Sequence, residues 1–452
     1  MDTGAGEIFL VLVPDSSLTF GWLAREAAGR YYSQVGTEPV LRLRTSDRAL
    51  LKPEDPVAHI FQPGEQPQVT GEVVDWNIKP AAQKYEDACR ELGVTCYKNL
   101  RTSLANMSST NTLSLRLSMK AHHVRPLFRS LRGNPGLREL ELSHCKLRDE
   151  EVRLLGEVLP TITHLASLNL SYNMMTGSSL ALLSTLELKV KELLLSGNML
   201  GDASLPALTS LLSGYPNLET LSLARCSLTS QLFHSGRGLF SVEARKSSLK
   251  QLDISHNPLT VAGVETLLSC LPASLASLNI SRCNLAQISR PDSLAAALLS
   301  HCSQSSSLTS LNLSSFCLTN LSLRSLLPGL SRCGRLTRLE LNNNQLSSPA
   351  LLSILATARQ HGLPLVSLSL ATGPARPAQT FWEDSGGLEL VSQELQSLLS
   401  SENSVLEQLV VPLPLPTNHG AADVISRVWD SHYGARSLHF CDSLGNITYS
   451  VQ

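Results

Sequence analysis

The chain has 452 residues, of which 42% are hydrophobic, 17% are charged and 5% are aromatic, and its formal net charge is -1. This length and composition allow a large aliphatic core, so we expect the chain to be folded over most of its length. The near-neutral charge argues against strong direct binding of nucleic acid through a uniformly positive surface, so any such contact must be local.

The first segment, residues 1–79, alternates strand-like and helical patterns. EIFLVLVP, which begins at Glu7, is followed by a helical pattern from Leu18 to about Tyr32, and then by PVLRLRT and GEVVDW. This order resembles a β-grasp, ubiquitin-like module. Because EIFLVLVP runs directly into the helix, it corresponds to the second strand of the usual opening hairpin, and we expect the first strand to be missing. No diglycine follows Trp76, so conjugation like that of ubiquitin is not expected.

Residues 80–136 are predicted to form a helical connector and the N-terminal cap of a solenoid. They contain the helical patterns PAAQKYEDACRELG and HHVRPLFRSLRGNPG on either side of NTLSLRLSMK. A solenoid needs such a cap because its first coil otherwise leaves an open apolar end. Arg125, Arg129 and Arg132 share one face if their segment is helical. That face suits either contact with acidic protein or phosphate, or plain exposure to solvent.

Residues 137–400 carry a repeated eleven-residue frame, of which LKQLDISHNPL from Leu249 is one copy. Apolar residues occupy its first, fourth, sixth and last positions, and Asn257 occupies the ninth. Successive starts lie 28, 25, 28, 31, 26, 33 and 28 residues apart. The eight copies begin at Leu137, Leu165, Val190, Leu218, Leu249, Leu275, Leu308 and Leu336. This period is typical of leucine-rich repeats with one helix per coil.

Each copy predicts one coil, with a short strand at positions four to six and a returning helix. Asn or Cys at position nine, with Phe316 as the exception, can satisfy buried backbone groups where the chain turns inward. The predicted helices are DEEVRLLGEVLP, DASLPALTSLLSGY, VAGVETLLSCLP, SLAAALLSHC and PALLSILATARQ. The predicted fold is therefore α/β: a right-handed leucine-rich-repeat solenoid shaped as a horseshoe, with parallel strands on the concave face and helices on the convex face, preceded by the partial β-grasp module.

The C-terminal end departs from the frame, and residues 401–452 are predicted to be a degenerate last repeat and a C-terminal cap. The frames from Leu365 and Leu406 have Gly373 and Pro414 at the ninth position. Between them, ATGPARPAQTFWEDSGG has the composition of a long loop. The final SLHFCDSLGNITYSVQ alternates as expected of a closing hairpin.

The candidate functional surface is the concave face, where outward side chains of successive coils line up about 4.8 Å apart. Position seven is almost always small, whereas positions five and eight carry acids, His, Tyr and Arg. Such columns either bind a partner helix or peptide, or are ordinary solvated strand residues. The predicted partner-binding residues on this face are Glu141, His144, Tyr172, Arg225, Asp253, His256, Arg282, Arg338, Glu340 and Asn343.

Two further candidates, Phe381 and Trp382, lie in the Gly- and Pro-bearing loop. Large apolar side chains in a loop have two interpretations. They either dock back onto the cap or anchor a partner.

The sequence has none of the spacings expected of a catalytic or metal site. It contains no HExxH, GxSxG, GxxxxGK[ST], zinc-finger or EF-hand pattern. His144 and His256 lie four coils apart, too far to share a metal ion. We therefore expect a non-enzymatic protein that needs neither cofactor nor metal.

Cysteine and sequon usage favours a reducing, intracellular location. The ten cysteines form no CxxC pair, and three of them occupy position nine, so reduced thiols are expected. Six Asn-x-Ser/Thr sequons occur without a signal peptide or membrane span, and glycans at several of them would block the concave face. No membrane association is expected.

Two family resemblances follow from these motifs. Repeats with Asn and Cys at position nine and helical returns resemble the ribonuclease-inhibitor class of leucine-rich repeats over roughly residues 110–440. The order of β-grasp module, helical connector and such repeats resembles the C-terminal part of Tonsoku-like proteins across nearly the whole chain. That resemblance implies a nuclear, chromatin-linked scaffold of replication-fork repair, whose repeats hold a large partner subunit and help recombinase loading during homologous recombination. Phe316, Gly373 and Pro414 depart from the frame, so no partner residue is carried over from the family.

Two other functions remain open on the sequence. Repeats of this kind also resemble the Ran GTPase-activating protein, which suggests a regulator of a small GTPase. A solenoid behind a β-grasp module also suits a substrate adaptor of a ubiquitin ligase, although no F-box-like segment precedes the repeats.

Overall fold

The computed structural model describes most of the chain, in two compact units, Met1–Ser167 and Leu168–Gln452. The boundary falls inside the predicted repeats. Most of EIFLVLVP, the predicted helix SLAAALLSHC, Gly373 and Pro414 lie outside the described residues. The described residues are 11, 13, 15, 17–35, 38–61, 68–77, 79–118, 121–233, 247–283, 307–372, 381–382, 385–401, 404–412, 421–443 and 446–452.

The first unit opens with a helix that packs on a two-stranded sheet. Helix α1 (Phe20–Val35) precedes strands β1 (Glu38–Thr45) and β2 (Val69–Asn77), which pair antiparallel. Phe20, Leu43 and Leu51 form the buried core of this part. The helix and the following strands agree with the predicted order of elements, while the β-grasp assignment stays a prediction.

Four further helices and two strands follow in the described part of this unit. Its helices are α2 (Ala81–Glu91), α3 (Lys98–Thr110), α4 (Ala121–Leu131) and α5 (Asp149–Gly156), and its strands are β3 (Thr112–Ser114) and β4 (Glu139–Glu141). Helix α2 packs against both α3 and α4. Helix α3 was not among the predicted helices, because its sequence KNLRTSLANMSST is largely polar.

The second unit is a leucine-rich-repeat solenoid whose strands pair in parallel. Its helices are α6 (Gly177–Ser184), α7 (Leu205–Gly214), α8 (Val261–Cys270), α9 (Asn320–Arg332), α10 (Ser348–His361), α11 (Ser385–Leu399) and α12 (Ala421–Tyr433). Its strands, after β5 (Ser167–Asn169) at the unit boundary, are β6 (Glu192–Leu194), β7 (Thr220–Ser222), β8 (Gln251–Asp253), β9 (Ser277–Asn279), β10 (Ser310–Asn312), β11 (Arg338–Glu340), β12 (Ser367–Ser369) and β13 (Gln408–Pro412). Strands β6 to β13 are successive parallel neighbours.

The closing hairpin predicted at the C-terminus is confirmed. Strands β14 (Ser437–Cys441) and β15 (Asn446–Val451) pair antiparallel, and β15 also pairs antiparallel with β13. The parallel sheet therefore ends on an antiparallel hairpin, beside which Trp429 and Tyr449 are completely buried.

Each strand occupies positions three to five of the frame, one residue earlier than predicted. In the repeat from Leu249, the strand is Gln251–Asp253, and Leu252 at position four is 2% exposed. The strand ends early because the residue at position eight, His256, has a φ of 57° and turns the chain away from the sheet. The apolar positions of the frame face the core, as the period predicts.

The ninth-position asparagines join one coil to the next. The side-chain amide of Asn257 donates to the carbonyls of Leu223 at 2.9 Å and Ile254 at 2.8 Å. Its Oδ1 accepts from the backbone N–H groups of Cys226 and Leu228, both at 3.0 Å. Four buried backbone groups are thus satisfied by one side chain, which is the role predicted for this position.

Two acidic residues, Asp149 and Asp202, lie at the starts of helical turns in the repeats. Helix α5 is capped at Arg148, whose N–H donates to Glu151 at 2.9 Å, so Asp149 is the first helical residue rather than the cap. Asp202 begins a short 3₁₀ turn and accepts the N–H of Thr229 in the next repeat at 2.7 Å. In both cases the cap is the residue before the acid, which is Arg148 before Asp149 and Gly201 before Asp202.

Eight of the described cysteines are free thiols. The expectation of reduced thiols is wrong at Cys333, which is disulfide-bonded. Among the described helices, none combines the length and apolar character needed to cross a membrane.

Candidate protein-binding surface

The outward side chains of the parallel strands in the second unit form one face, which we call the strand face. It consists of the side chains at frame positions three and five, which lie on strands β6 to β12. Gln251 and Arg338 at position three are exposed, whereas Asp253 and Glu340 at position five are half-buried. The small residues at position seven, such as Ser255 at 4% exposure, are buried beneath this face rather than open to solvent.

Side chains at frame position five form hydrogen bonds with other groups of the same chain. Asp253 Oδ1 accepts the backbone N–H of Ser255 at 2.9 Å, a bond that fixes the turn after the strand. Glu340 Oε2 accepts the side-chain amide of Asn312 in the preceding repeat at 2.7 Å. These two predicted residues therefore hold the backbone and the neighbouring coil, and present only part of their carboxylates to solvent.

Glu141 in the first unit is engaged even more fully. Its carboxylate accepts from the hydroxyl of Ser114, from Arg116 Nε at 2.9 Å and from the hydroxyl of Ser143 at 3.0 Å. The hydrogen bond from Ser114 is the main cause that lowers the pKa of Glu141 below its ordinary value, and Arg116 and Ser143 add to it. His144, also in the first unit, is exposed.

Position eight has a left-handed backbone in every copy of the frame. Its residues, with φ between 53° and 70°, are His144, Tyr172, Gly197, Arg225, His256, Arg282, Ser315 and Asn343. The N–H of Arg225 donates to the carbonyl of Ser255 at 3.0 Å, and that of His256 donates to Ser281 at 2.9 Å. The same bond from position eight to position seven of the next repeat holds the turns from Tyr172 to Asn343, so the eighth side chains of the second unit stand at the edge of the sheet.

We define the turn ridge as six side chains at positions eight and ten of successive repeats in the second unit. Tyr172, Met174, Met199, Arg225 and Arg282 are exposed, and His256 is half-buried. Tyr172 is 45% exposed, Met174 44% and Met199 66%. The sequence analysis missed the two methionines, because Met within an apolar repeat is usually a core residue. Position ten, one residue after the buried ninth, is the signal that identifies them.

Arg225, His256 and Arg282 are neighbours along this ridge. Partial burial lowers the pKa of His256, and the positive charges of Arg225 and Arg282 lower it further, while Asp253 opposes them. The positive charge of this end of the ridge therefore comes from the two guanidinium groups.

The remaining predicted residues divide by exposure. Arg338 on the strand face and Asn343 on the position-eight column are both exposed. Phe381 and Trp382 are 1% and 7% exposed, and Trp382 Nε1 donates to the carbonyl of Pro412 at 2.8 Å. The partner-anchor interpretation of Phe381 and Trp382 is therefore wrong, because both side chains are packed into the C-terminal coils.

The arginine face of the first unit is largely paired. Arg129 Nη1 lies 3.1 Å from Glu91 Oε2, and Arg132 Nη2 lies 3.6 Å from Glu157 Oε2. Arg125 is exposed on α4. In the described part of the chain, no group of three His, Cys, Asp or Glu side chains is arranged to hold a metal ion.

Comparison with known proteins gives relatives along most of the chain. It is 33% identical to a Tonsoku-like protein of Danio rerio over 379 residues, which are 80% of this chain and 26% of that protein. The Mus musculus Tonsoku-like protein is also 33% identical, over 80% of this chain and 27% of its own length. A Sus scrofa ribonuclease inhibitor is 37% identical over 34% of this chain and 35% of its own length. The chain thus spans about a quarter of the length of the Tonsoku-like relatives.

Two family models match parts of the chain. The PRAME C-terminal domain matches residues 208–381, and a leucine-rich repeat matches residues 133–153. Among solved structures, the leucine-rich repeat-containing protein LegL7 from Legionella pneumophila aligns with a TM-score of 0.37 at 18% identity, covering 72% of this chain and 91% of its own. The yeast Rad7 and Elc1 complex aligns with a TM-score of 0.33 at 18% identity, covering 64% of this chain and 87% of that one.

Proposed function

Because this chain is homologous to Tonsoku-like proteins over four fifths of its length, we propose that its second unit is a protein-interaction scaffold that holds a large partner subunit in replication-fork repair by homologous recombination. The partner, the link to recombinase loading and the nuclear, chromatin-associated location are carried over from the resemblance. The residues of this chain supply the surface for that role.

The observation that carries the proposal is a rigid face with an exposed edge. The strands stay in register because ninth-position asparagines and position-eight N–H groups bond each coil to its neighbour. On this scaffold, Gln251, Arg338 and every turn-ridge side chain except the half-buried His256 are exposed, and Met199 is 66% exposed. Exposed apolar groups beside fixed charges on a rigid surface favour protein binding over catalysis.

Affinity capture from nuclear extract with quantitative mass spectrometry tests this function. The baits are the intact chain, a strand-side variant and a matched control. The strand-side variant carries Arg225→Glu, Arg282→Glu and Arg338→Glu. The control carries Arg324→Glu, Arg332→Glu and Arg335→Glu, three exposed arginines on or just after α9, so both variants change the charge equally.

We expect one large replication-repair protein to be captured by the intact chain and the control and to be lost from the strand-side variant. A folded intact chain that captures no large protein would contradict the scaffold function. Equal capture by all three baits would move the binding surface away from the strand side. Recovery of a small GTPase or of ubiquitin-ligase subunits would instead favour one of the two other functions that the sequence leaves open.

A further inference from the structure

The turn ridge has a chemical asymmetry along its length. Tyr172, Met174 and Met199, from the first repeats of the second unit, are apolar or aromatic and well exposed. Arg225, His256 and Arg282 follow in the next three repeats. One end of the ridge therefore suits apolar contacts and the other suits anions.

The apolar end is held in place by its neighbours. The ring of Tyr172 lies against Gly197, and the N–H of Met199 donates to the carbonyl of Met175 at 2.9 Å. Methionine side chains on a fixed backbone adapt to different apolar partners because their chains are unbranched and polarizable. This end therefore offers a pre-positioned apolar contact with adjustable side chains.

The frame positions that form the ridge carry no acidic residue. In the seven frames from Leu165 to Leu336, no Asp or Glu occupies position eight or position ten. Asp253, the nearby acid that acts on His256, bonds the N–H of Ser255 instead of an arginine head group. Arg225 and Arg282 thus remain exposed and suited to pair with carboxylates of another molecule.

The spacing sets the size of the ligand. Tyr172 and Arg282 are separated by four repeat steps, and at about 4.8 Å per step the ridge is about 19 Å long. An extended peptide advances about 3.3 Å per residue, so about six residues cover this distance.

We propose that the turn ridge is the docking site for an extended acidic segment of a partner protein, with apolar side chains at the Tyr172–Met199 end and carboxylates at the Arg225–Arg282 end. This inference rests on the proposed scaffold function. Single-stranded nucleic acid fits less well, because methionine offers no flat face on which a base can stack.

Fluorescence anisotropy with defined probes tests the proposal. The probes are two fluorescein-labelled peptides of roughly eight residues, with Leu and Phe at one end and Glu at the other, in both chain directions. Probes of equal charge without apolar residues, and an oligothymidylate of equal charge, serve as comparisons. Circular dichroism melting checks that each variant is folded.

We expect at least one acidic–apolar peptide to bind the intact chain more tightly than either comparison probe. Arg225→Glu with Arg282→Glu should weaken binding about tenfold or more, and so should Met174→Ser with Met199→Ser. The matched controls, Arg324→Glu with Arg332→Glu and Leu321→Ser with Leu390→Ser, change exposed residues on helices and should leave affinity unchanged.

Failure of both peptides to bind, or equal loss in the controls, would overturn the proposal. Tighter binding of the oligothymidylate would assign the ridge to nucleic acid instead. If the Arg225→Glu, Arg282→Glu double variant still captures the partner in the affinity experiment, the ridge is not the docking site, and the scaffold function is not contradicted. If the intact chain captures no partner, the scaffold function itself is contradicted.

Discussion

The ring of Tyr172 lies against Gly197, so closely that a Cβ built on the glycine would stand 2.5 Å from the ring Cδ1. The two residues occupy position eight of successive repeats. Gly197 also has a φ of 70°, a left-handed conformation that costs other residues energy. The left-handed backbone favours glycine at this point, and the contact with the tyrosine ring leaves no space for a Cβ.

Replacing Gly197 by alanine should destabilise the chain by about 2 kcal/mol or more, from backbone strain of about 1–2 kcal/mol and displacement of Tyr172. Gly93→Ala is the control, because Gly93 has a φ of 64° just after α2 but no atom within 4 Å of its added Cβ. Guanidinium unfolding should show the larger loss for Gly197. Equal losses of unfolding free energy in the two variants would mean that the space beside Tyr172 does not contribute to stability.

Asn257→Ala should cost about 2–4 kcal/mol, because it leaves four buried backbone groups of two repeats without their partner. Asn279→Ala is the comparison, since its Oδ1 accepts a single bond from the N–H of Ser281 at 3.1 Å. We expect about 1 kcal/mol or less there. Similar unfolding midpoints for the two variants would contradict the role of position nine.

The pH dependence of the first unit should reflect Glu141. Its pKa is lowered in the folded chain, so its contribution is present above the unfolded pKa of about 4.5 and is lost as pH falls through the lower folded value. At pH 7, Glu141→Gln should reduce the free energy of unfolding by about 1–2 kcal/mol. The gap from the intact chain should stay constant down to about pH 4.5 and close below it, as measured by denaturant unfolding between pH 7 and about pH 2.

Glu139→Gln is the control for this titration, because Glu139 is exposed on the same strand. It should change the free energy of unfolding by less than about 0.5 kcal/mol at pH 7. A gap for Glu141→Gln that stays constant with pH would show that its hydrogen bonds do not depend on its charge.

Trp382 should behave as a core residue rather than as a binding residue. Trp382→Ala should destabilise the chain by about 3–5 kcal/mol, and Trp382→Phe by less, because Phe keeps the ring packing and loses only the bond to Pro412. Thermal melting measures both. At a temperature where the variant is folded, Trp382→Phe should capture the partner as the intact chain does. Loss of capture would show that Trp382 belongs to the binding surface.

The fold was largely predictable because the sequence pattern that specifies it repeats at a regular interval. The eleven-residue frame repeats along the chain, so each inward leucine and each bridging Asn is specified many times over. The strand register was displaced by one residue because the turn at position eight is made by His256, Tyr172 and Arg225, whose side chains give little sign of a left-handed backbone. Gly197 and Asn343 carry the usual signal for it, and the two histidines carry a weaker one.

The candidate surface was predictable in part. Outward columns follow from the frame, but hydrogen bonding within the chain does not, so the engagement of Glu141, Asp253 and Glu340 was not foreseen. Phe381 and Trp382 were ambiguous because their burial depends on distant residues such as Pro412. Met199 was missed because its exposure depends on its place in the turn and not on its residue type.

The most direct test of the scaffold function is sedimentation velocity of the purified chain mixed with the partner that it captures. We expect one faster-sedimenting complex of fixed stoichiometry with the intact chain and with Arg324→Glu, Arg332→Glu, Arg335→Glu. The variant Arg225→Glu, Arg282→Glu, Arg338→Glu should sediment as the free chain. If the intact chain and the partner sediment separately, the scaffold function is contradicted. If all three chains form the same complex, the strand side is not the binding surface.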